Sequence, residues 1–360
     1  MPVTEFDEIM MSSSGSSFHN AKQEPTGYVN YWGYGPSYLY AVKTAYASRE
    51  TMSAEGEFKT LVRELHKAGI ECIPEMYFTG KELPGEILSV LRYWVEEYHV
   101  DGFHLTGFPD LSLAAEDPFL KRTKLFAENW NDIMNRRPKQ GYVTPGDGAV
   151  SVEEKNLAEY NMQFMEDMRR FLKGDEGMLS AFELRNRRNP MEYAVINYMA
   201  NTNGFTLMDT VSYDRKHNKK NGEENRDGSD YNYSWNCGAE GPTRKKKIMG
   251  LRKQLLKNAY LLLFLSQGVP LLMAGDEFGN SQDGNNNAYC QDNAVSWLNW
   301  KLLETHKDQV EFVKRLIAFR KSHKMFHMDR EPRIMDYKFC GRPDVSYHGE
   351  NAWKPEFENF

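Results

Sequence analysis

The tightest constraint on this chain is a hydrophobic period that switches repeatedly between helix and strand. Residues 56–69 (GEFKTLVRELHKAG) place Phe58, Leu61, Val62 and Leu65 on one helical face and close on Gly69. Ile70–Phe78 then reads as a strand. Pro84 opens a second helix, with Ile87, Leu88, Leu91, Trp94 and Val95 as its inward stripe. His99–Phe108, Thr123–Ala127 and Ala194–Met199 read as strands. Lys247–Ser266 is a long apolar helix, Val269–Ala274 a strand and Gln309–His323 a final amphipathic helix. Helix-then-strand units build parallel sheets, in either a (β/α)8 barrel or a doubly wound layout. The polar stretches Ser12–Gly27, Asn129–Ser151 and Ser212–Arg244 are long for connections, and loops of that length usually carry function or stay disordered.

With 360 residues the chain has ample length for a large core. A net charge of −6 argues against nucleic acid, whose phosphates require a concentrated positive face. The one tight basic run, Arg244–Lys247, reads as a solvated loop or helix start. Cys72, Cys237, Cys290 and Cys340 are widely spaced, which suits free thiols in a reducing compartment better than disulfides or a zinc site. The histidines show no metal-ligand spacing, and Asp283–Asp292 lacks calcium-loop order. The longest apolar run, Tyr260–Leu265, is far short of a membrane span, and the first residues lack a signal pattern. The expectation is a cytoplasmic protein with no cofactor, metal, nucleic-acid or membrane partner.

Several long motifs add chemistry. Residues 30–35 read NYWGYG, 221–243 read NGEENRDGSDYNYSWNCGAEGPT, and 273–293 read MAGDEFGNSQDGNNNAYCQDN. Together they resemble the α-amylase superfamily, most closely its isoamylase and glycogen-debranching branch. The resemblance implies an α/β fold, a (β/α)8 barrel over residues 1–325, and the start of a C-terminal β-domain over 326–360. It also implies that PVTEFDE (2–8) sits at the end of the second barrel strand, so the first strand is expected to be missing. PDVSYHG (343–349) resembles the beginning of the C-terminal domain. Two expectations follow: a fragment of a longer reading frame, or a chain whose barrel a partner completes.

A retaining glycosidase sets two carboxyl groups across the scissile bond, about 5–5.5 Å apart. TKLFAENW (123–130) resembles the family's T-K-L-I-A-E-P-W, which implies that Glu128 is the proton donor. VDGFHLTGF (100–108) aligns without gaps on V-D-G-F-R-F-D-L-A. The supporting arginine is thereby His104 and the nucleophilic aspartate Thr106. Thr202 and Asn203 stand where the family strand ends in H-D, so the transition-state aspartate is an asparagine. Glu75–Gly80 stands where the family has D-V-V-Y-N-H. A threonine hydroxyl without a base is a weak nucleophile, and an asparagine brings no negative charge to an oxocarbenium-like transition state.

The resemblance further implies sugar contacts at Tyr31, Trp32 and Tyr34, and at the rim residues Asn225, Arg226, Asp227, Asn286, Asn287 and Tyr289. Each has a plainer alternative: core packing for the aromatics, turn formation for Asn and Asp. The implied partner is a branched α-glucan of the glycogen or amylopectin kind. Lineage implies a glycoside hydrolase of carbohydrate metabolism; chemistry implies a pseudoenzyme that binds without cleaving. The alternatives are an active α-1,6-glucosidase using relocated acids such as Asp110 or Glu75, and a non-functional gene remnant.

Overall fold

The structure is a computed structural model that describes residues 1–11, 25–48, 52–128, 130, 156–336, 339–349 and 351. Nearly all of the loops expected at 129–151 and 12–27 falls outside these residues. The fold divides into two units, Met1–Tyr160 with Tyr289–Gln291, and Asn161–Ala288 with Asp292–Phe360.

In the first unit, strands β1 (Thr4–Phe6), β2 (Ile9–Met11), β3 (Pro25–Val29) and β4 (Ser37–Val42) precede helix α1 (Ala54–Lys67). β1 pairs antiparallel with β4, and β2 with β3. Then follow β5 (Glu75–Phe78), α2 (Pro84–Tyr98), β6 (Gly102–Gly107), β7 (Lys124–Ala127) and β8 (Leu157–Asn161). β5, β6, β7 and β8 pair in sequence order, all parallel, with Glu75 opposite His104 and Ala127 opposite Glu159. Pro2 adds a parallel bridge to Glu75, so the amino-terminal segment lies along the β5 edge.

Both helices turn slightly from their expected faces. α1 is capped by the Ser53 hydroxyl, which accepts from the Gly56 amide, and Val62 is its one fully buried side chain. Leu61 is 52% exposed, because the buried line runs through positions 58, 62 and 65 and leaves 61 a quarter-turn away. α2 buries Ile87, Val90, Leu91, Trp94 and Tyr98, while Leu88 and Val95 only flank the stripe. Tyr98 sets this rotation by packing its ring 4.7 Å from Trp94 and 5.3 Å from Phe58. His99 ends α2 in the left-handed region (φ 55°), so β6 starts at Gly102 and not at His99.

The second unit contains α3 (Met162–Lys173), α4 (Leu179–Arg187), β9 (Ala194–Tyr198), α5 (Leu207–Thr210), α6 (Lys246–Leu265), β10 (Val269–Leu271), α7 (Leu302–Thr305) and α8 (Lys307–Ser322). β9 and β10 are parallel, with Ile196 opposite Val269. The core gathers Phe164, Met168, Leu256, Tyr260, Leu263, Val313 and Leu316. β8, α3 and α4 were not expected from sequence, although Phe164, Met168, Phe171 and Leu172 recur at helical spacing. From residue 326 onward, the described residues form no strand. They pack on α4 through Tyr347, which donates to the Glu183 carbonyl, and through the Arg187–Glu331 ion pair.

Three buried arginines serve backbone carbonyls. Arg169 donates to Met199, Phe205 and Asn232, and Arg320 to Phe264, Ser266 and Gly268. Arg252 donates to Ser212, Asn236, Ala239 and Gly241, pinning the long polar loop to α6. This satisfies carbonyls that a loop without regular structure leaves unpaired.

Candidate active site

The parallel strands of the first unit bring Glu75, His104 and Thr106 together. Tyr34 donates to Glu75 Oε1 at 2.5 Å, and the amino group of Met1 lies 3.0 Å from Oε2. His104 Nδ1 lies 3.8 Å from Oε2, a charge contact longer than a hydrogen bond. Burial pushes the Glu75 carboxyl toward protonation, but His104, the Met1 amino group and the Tyr34 hydroxyl outweigh it and hold its pKa down at about 2. The other ring nitrogen, His104 Nε2, is buried and has no hydrogen-bond partner among the described residues.

Thr106 is two residues along the same face, yet its hydroxyl donates to the Met76 carbonyl at 3.2 Å. Its hydroxyl hydrogen goes to the neighbouring strand, and no hydrogen bond joins it to His104. Gly107 follows with φ +82°, where an added Cβ would fall 2.1 Å from the Phe78 carbonyl. Only glycine lets β5 and β6 approach that closely at the end of the strand. Glu128 stands exposed just past β7, with no hydrogen bond to a described residue. Asp110 accepts from the Ser112 amide at 3.0 Å, as a turn residue does.

Around this group lies an aromatic wall. Trp32 and Tyr34 meet edge-on at 5.9 Å, and Tyr34 lies 5.5 Å from Tyr77. Trp32 is 6% exposed, so its ring is packed and not laid open. The amides of Tyr31 and Trp32 both donate to the Tyr289 carbonyl, at 2.8 and 3.1 Å, which docks the 289–291 segment here. Sequence reasoning missed Tyr160, which stacks on His104 with centroids 4.3 Å apart and planes at 24°. Its signal was faint, since β8 itself was not recognised.

The remaining predicted residues belong to the second unit. Thr202 is half-buried and Asn203 exposed in the turn after β9. The rim residues form a network of their own. Asp227 Oδ2 accepts from Asn221, Asn287 and Asn218, at 2.7, 3.1 and 3.3 Å. Asn286 donates to the Ser229 carbonyl and to Asn232, and accepts from Asn218. Asn225 accepts from the Asn218 amide at 2.6 Å, while exposed Arg226 donates to the Glu223 carbonyl. Asn218, Asn221, Asn286 and Asn287 thus cross-link the 218–229 and 285–287 segments.

Among the described residues, no group of three His, Cys, Asp or Glu side chains could hold a metal ion. No helix among them is long and apolar enough to cross a membrane.

No family model matches the chain. It is 34% identical over 383 residues to a glycogen operon protein GlgX homolog of Mycobacterium tuberculosis, covering 87% of this chain and 51% of that protein. It is 31% identical over 442 residues to a chloroplastic isoamylase 3 of Oryza sativa subsp. japonica, covering 100% and 52%. A glycogen debranching enzyme of Serratia proteamaculans is 36% identical over 340 residues, covering 76% and 50%. The chain belongs to the isoamylase and glycogen-debranching branch of the α-amylase superfamily.

Solved pullulanases share the fold of this branch member. The Bacillus subtilis type I enzyme complexed with maltose superposes with a TM-score of 0.61 at 20% identity, covering 84% of this chain and 47% of that one. The Anoxybacillus sp. LM18-11 pullulanase gives 0.60 at 19%, covering 91% and 49%. The fold is therefore the α-amylase-type (β/α) barrel, to which the parallel strands described above contribute. The chain spans about half the length of the curated relatives it matches.

Proposed function

We propose that this chain is a glycogen-debranching, isoamylase-like domain that binds branched α-glucan without hydrolysing it. The observation that carries the reading is the state of Thr106 and Glu75. Thr106 occupies the position of the attacking carboxylate and gives its hydroxyl to a backbone carbonyl. Glu75, ionised on the adjacent strand, accepts from Tyr34 and lies 3.8 Å from His104. A retaining mechanism requires a free carboxylate opposite the donor, and loss of such a nucleophile lowers turnover by on the order of 10⁶. The stacked rings of His104 and Tyr160 and the tilted pair of Tyr34 and Tyr77 still suit a sugar. The names of the relatives supply the ligand class: glycogen and its debranching.

One observation favours a second reading. Glu75 is ionised and on the right sheet, as a relocated nucleophile of an α-1,6-glucosidase would be. Glycogen co-sedimentation together with a reducing-end assay separates the two. The expected result is retention on glycogen with no release of reducing ends. Turnover that vanishes in both Glu128→Gln and Glu75→Gln establishes the second reading instead. Absence of retention sinks both.

A further inference from the structure

In the second unit, the chain from Gly275 to Gly284 starts and stops on glycines in the left-handed region, at φ +97° and +75°. Such positions absorb backbone rotation at little cost. Both ends of the stretch are anchored. The Asp276 carbonyl accepts from Tyr260 of α6 and Gln309 of α8, and the Phe278 carbonyl bonds His306 Nδ1. Past residue 284, Asn285 donates to Asn221 and Asn286 accepts from Asn218.

The middle is held differently. Among the described residues, 281–283 hydrogen-bond α5 through Asp209 alone: Oδ1 accepts from the Ser281 hydroxyl and Oδ2 from the Gln282 amide. A second carboxylate grips the same helix from the other side, since Asp276 Oδ1 accepts from the Leu207 amide. Both acids are buried, at 0% and 2% exposure, and neither forms an ion pair among the described residues. The cations packed nearby are committed elsewhere. Arg169 of α3, beside Tyr198, donates to three backbone carbonyls, and Arg252 of α6 to four. The other titratable neighbours are the acids Glu277 and Asp283 and the phenols of Tyr213 and Tyr260.

An ionised carboxylate placed there has lost its water and gained no bonded counter-charge. Burial accordingly raises Asp209 to about 6 and Asp276 to about 7. The closed arrangement therefore keeps protons that hydrated carboxylates release, so it is favoured at low pH and opposed as pH rises.

We propose that Asp209 and Asp276 form a pH-operated clasp: while protonated it holds residues 281–283 against α5, and ionisation releases that stretch with the rest of the unit still folded. That release loosens a glucan-binding rim rests on the function proposed above; the clasp itself rests on the hydrogen bonds and the burial.

Hydrogen–deuterium exchange of the full chain without glucan, from about pH 5 to 8 and corrected for intrinsic rates, tests this. Protection of residues 281–283 is expected to fall by up to about tenfold per pH unit for each proton released, while α6 amides stay protected. Asp209→Asn cannot ionise, yet keeps an oxygen for the Gln282 amide and a donor for the Ser281 hydroxyl; Asp276→Asn keeps an oxygen for the Leu207 amide. Each variant is expected to reduce the slope. Protection at 281–283 that stays level or rises with pH overturns the clasp. So does a fall matched by α6, which is global unfolding, or a wild-type slope retained in both variants. If a variant does not fold, the wild-type profile decides alone. Because no glucan is present, failure here leaves the binding reading untouched, and failure to retain glycogen leaves the clasp untouched.

Discussion

On the proposed reading, single substitutions separate this chain from the chemistry of its family, through hydrogen bonds as much as through charge. The Thr106 hydroxyl donates to the Met76 carbonyl, which its one-letter code could not say. Glu75 keeps its charge because Tyr34 and His104 surround it. Asn286 and Asp227, read from sequence as sugar contacts, each hydrogen-bond Asn218. Gly228 shows how tightly. Its φ is +69°, and an added Cβ would fall 2.3 Å from Asn286 Oδ1 and 2.8 Å from Asn218 Nδ2. Gly228→Ala is expected to cost at least about 2 kcal/mol, from strained backbone plus displaced amides. Urea unfolding followed by circular dichroism measures it, and a loss under about 0.5 kcal/mol would show that the network is loose.

Elements that carry strong periodicity were readable and short ones were not. α1, α2, α6 and α8 appear within a few residues of expectation, because each has an apolar stripe and a defined stop. β8 has five residues and no apolar run, so nothing in LAEYN distinguishes a buried strand from a loop. Arg252 is the element-scale surprise. A cation inside an apolar helix reads as an exposed residue, yet it is 7% exposed and binds four carbonyls of the 212–241 stretch. Arg252→Met keeps helix propensity and abolishes those donors. Limited proteolysis with mass-spectrometric mapping is expected to show new cleavage between residues 212 and 241, with α6 still intact. An unchanged digest would mean that the asparagine network suffices.

At the scale of the molecule, pH should act through two acids that play no part in the proposed chemistry. Burial drives Asp209 up to about 6 against the hydrogen bonds of Ser281 and Gln282. Burial likewise drives Asp276 up to about 7, opposed by the Leu207 amide and the nearby Arg169. Both folded values exceed the ordinary carboxylate value, so the folded state binds protons the unfolded chain has released. Their contribution is complete below about pH 4 and is lost as pH rises through about 6 and 7, amounting to a few kcal/mol. The urea midpoint of the second unit is expected to fall between about pH 5 and 8, and Asp276→Asn to flatten most of that slope. A midpoint that rises over this range would reverse the assignment.

The amino-acid sequence alone determined the lineage and the parallel α/β architecture. These are properties of residue identity and order, and they survive in a string of letters. Tertiary structure alone decided where each polar group spends its hydrogen bonds. Trp32 is packed, Thr106 is tied to a carbonyl, and the rim asparagines hold each other. The physical reason is that a side chain has few donors and acceptors, and partners distant in sequence claim them once the chain has folded.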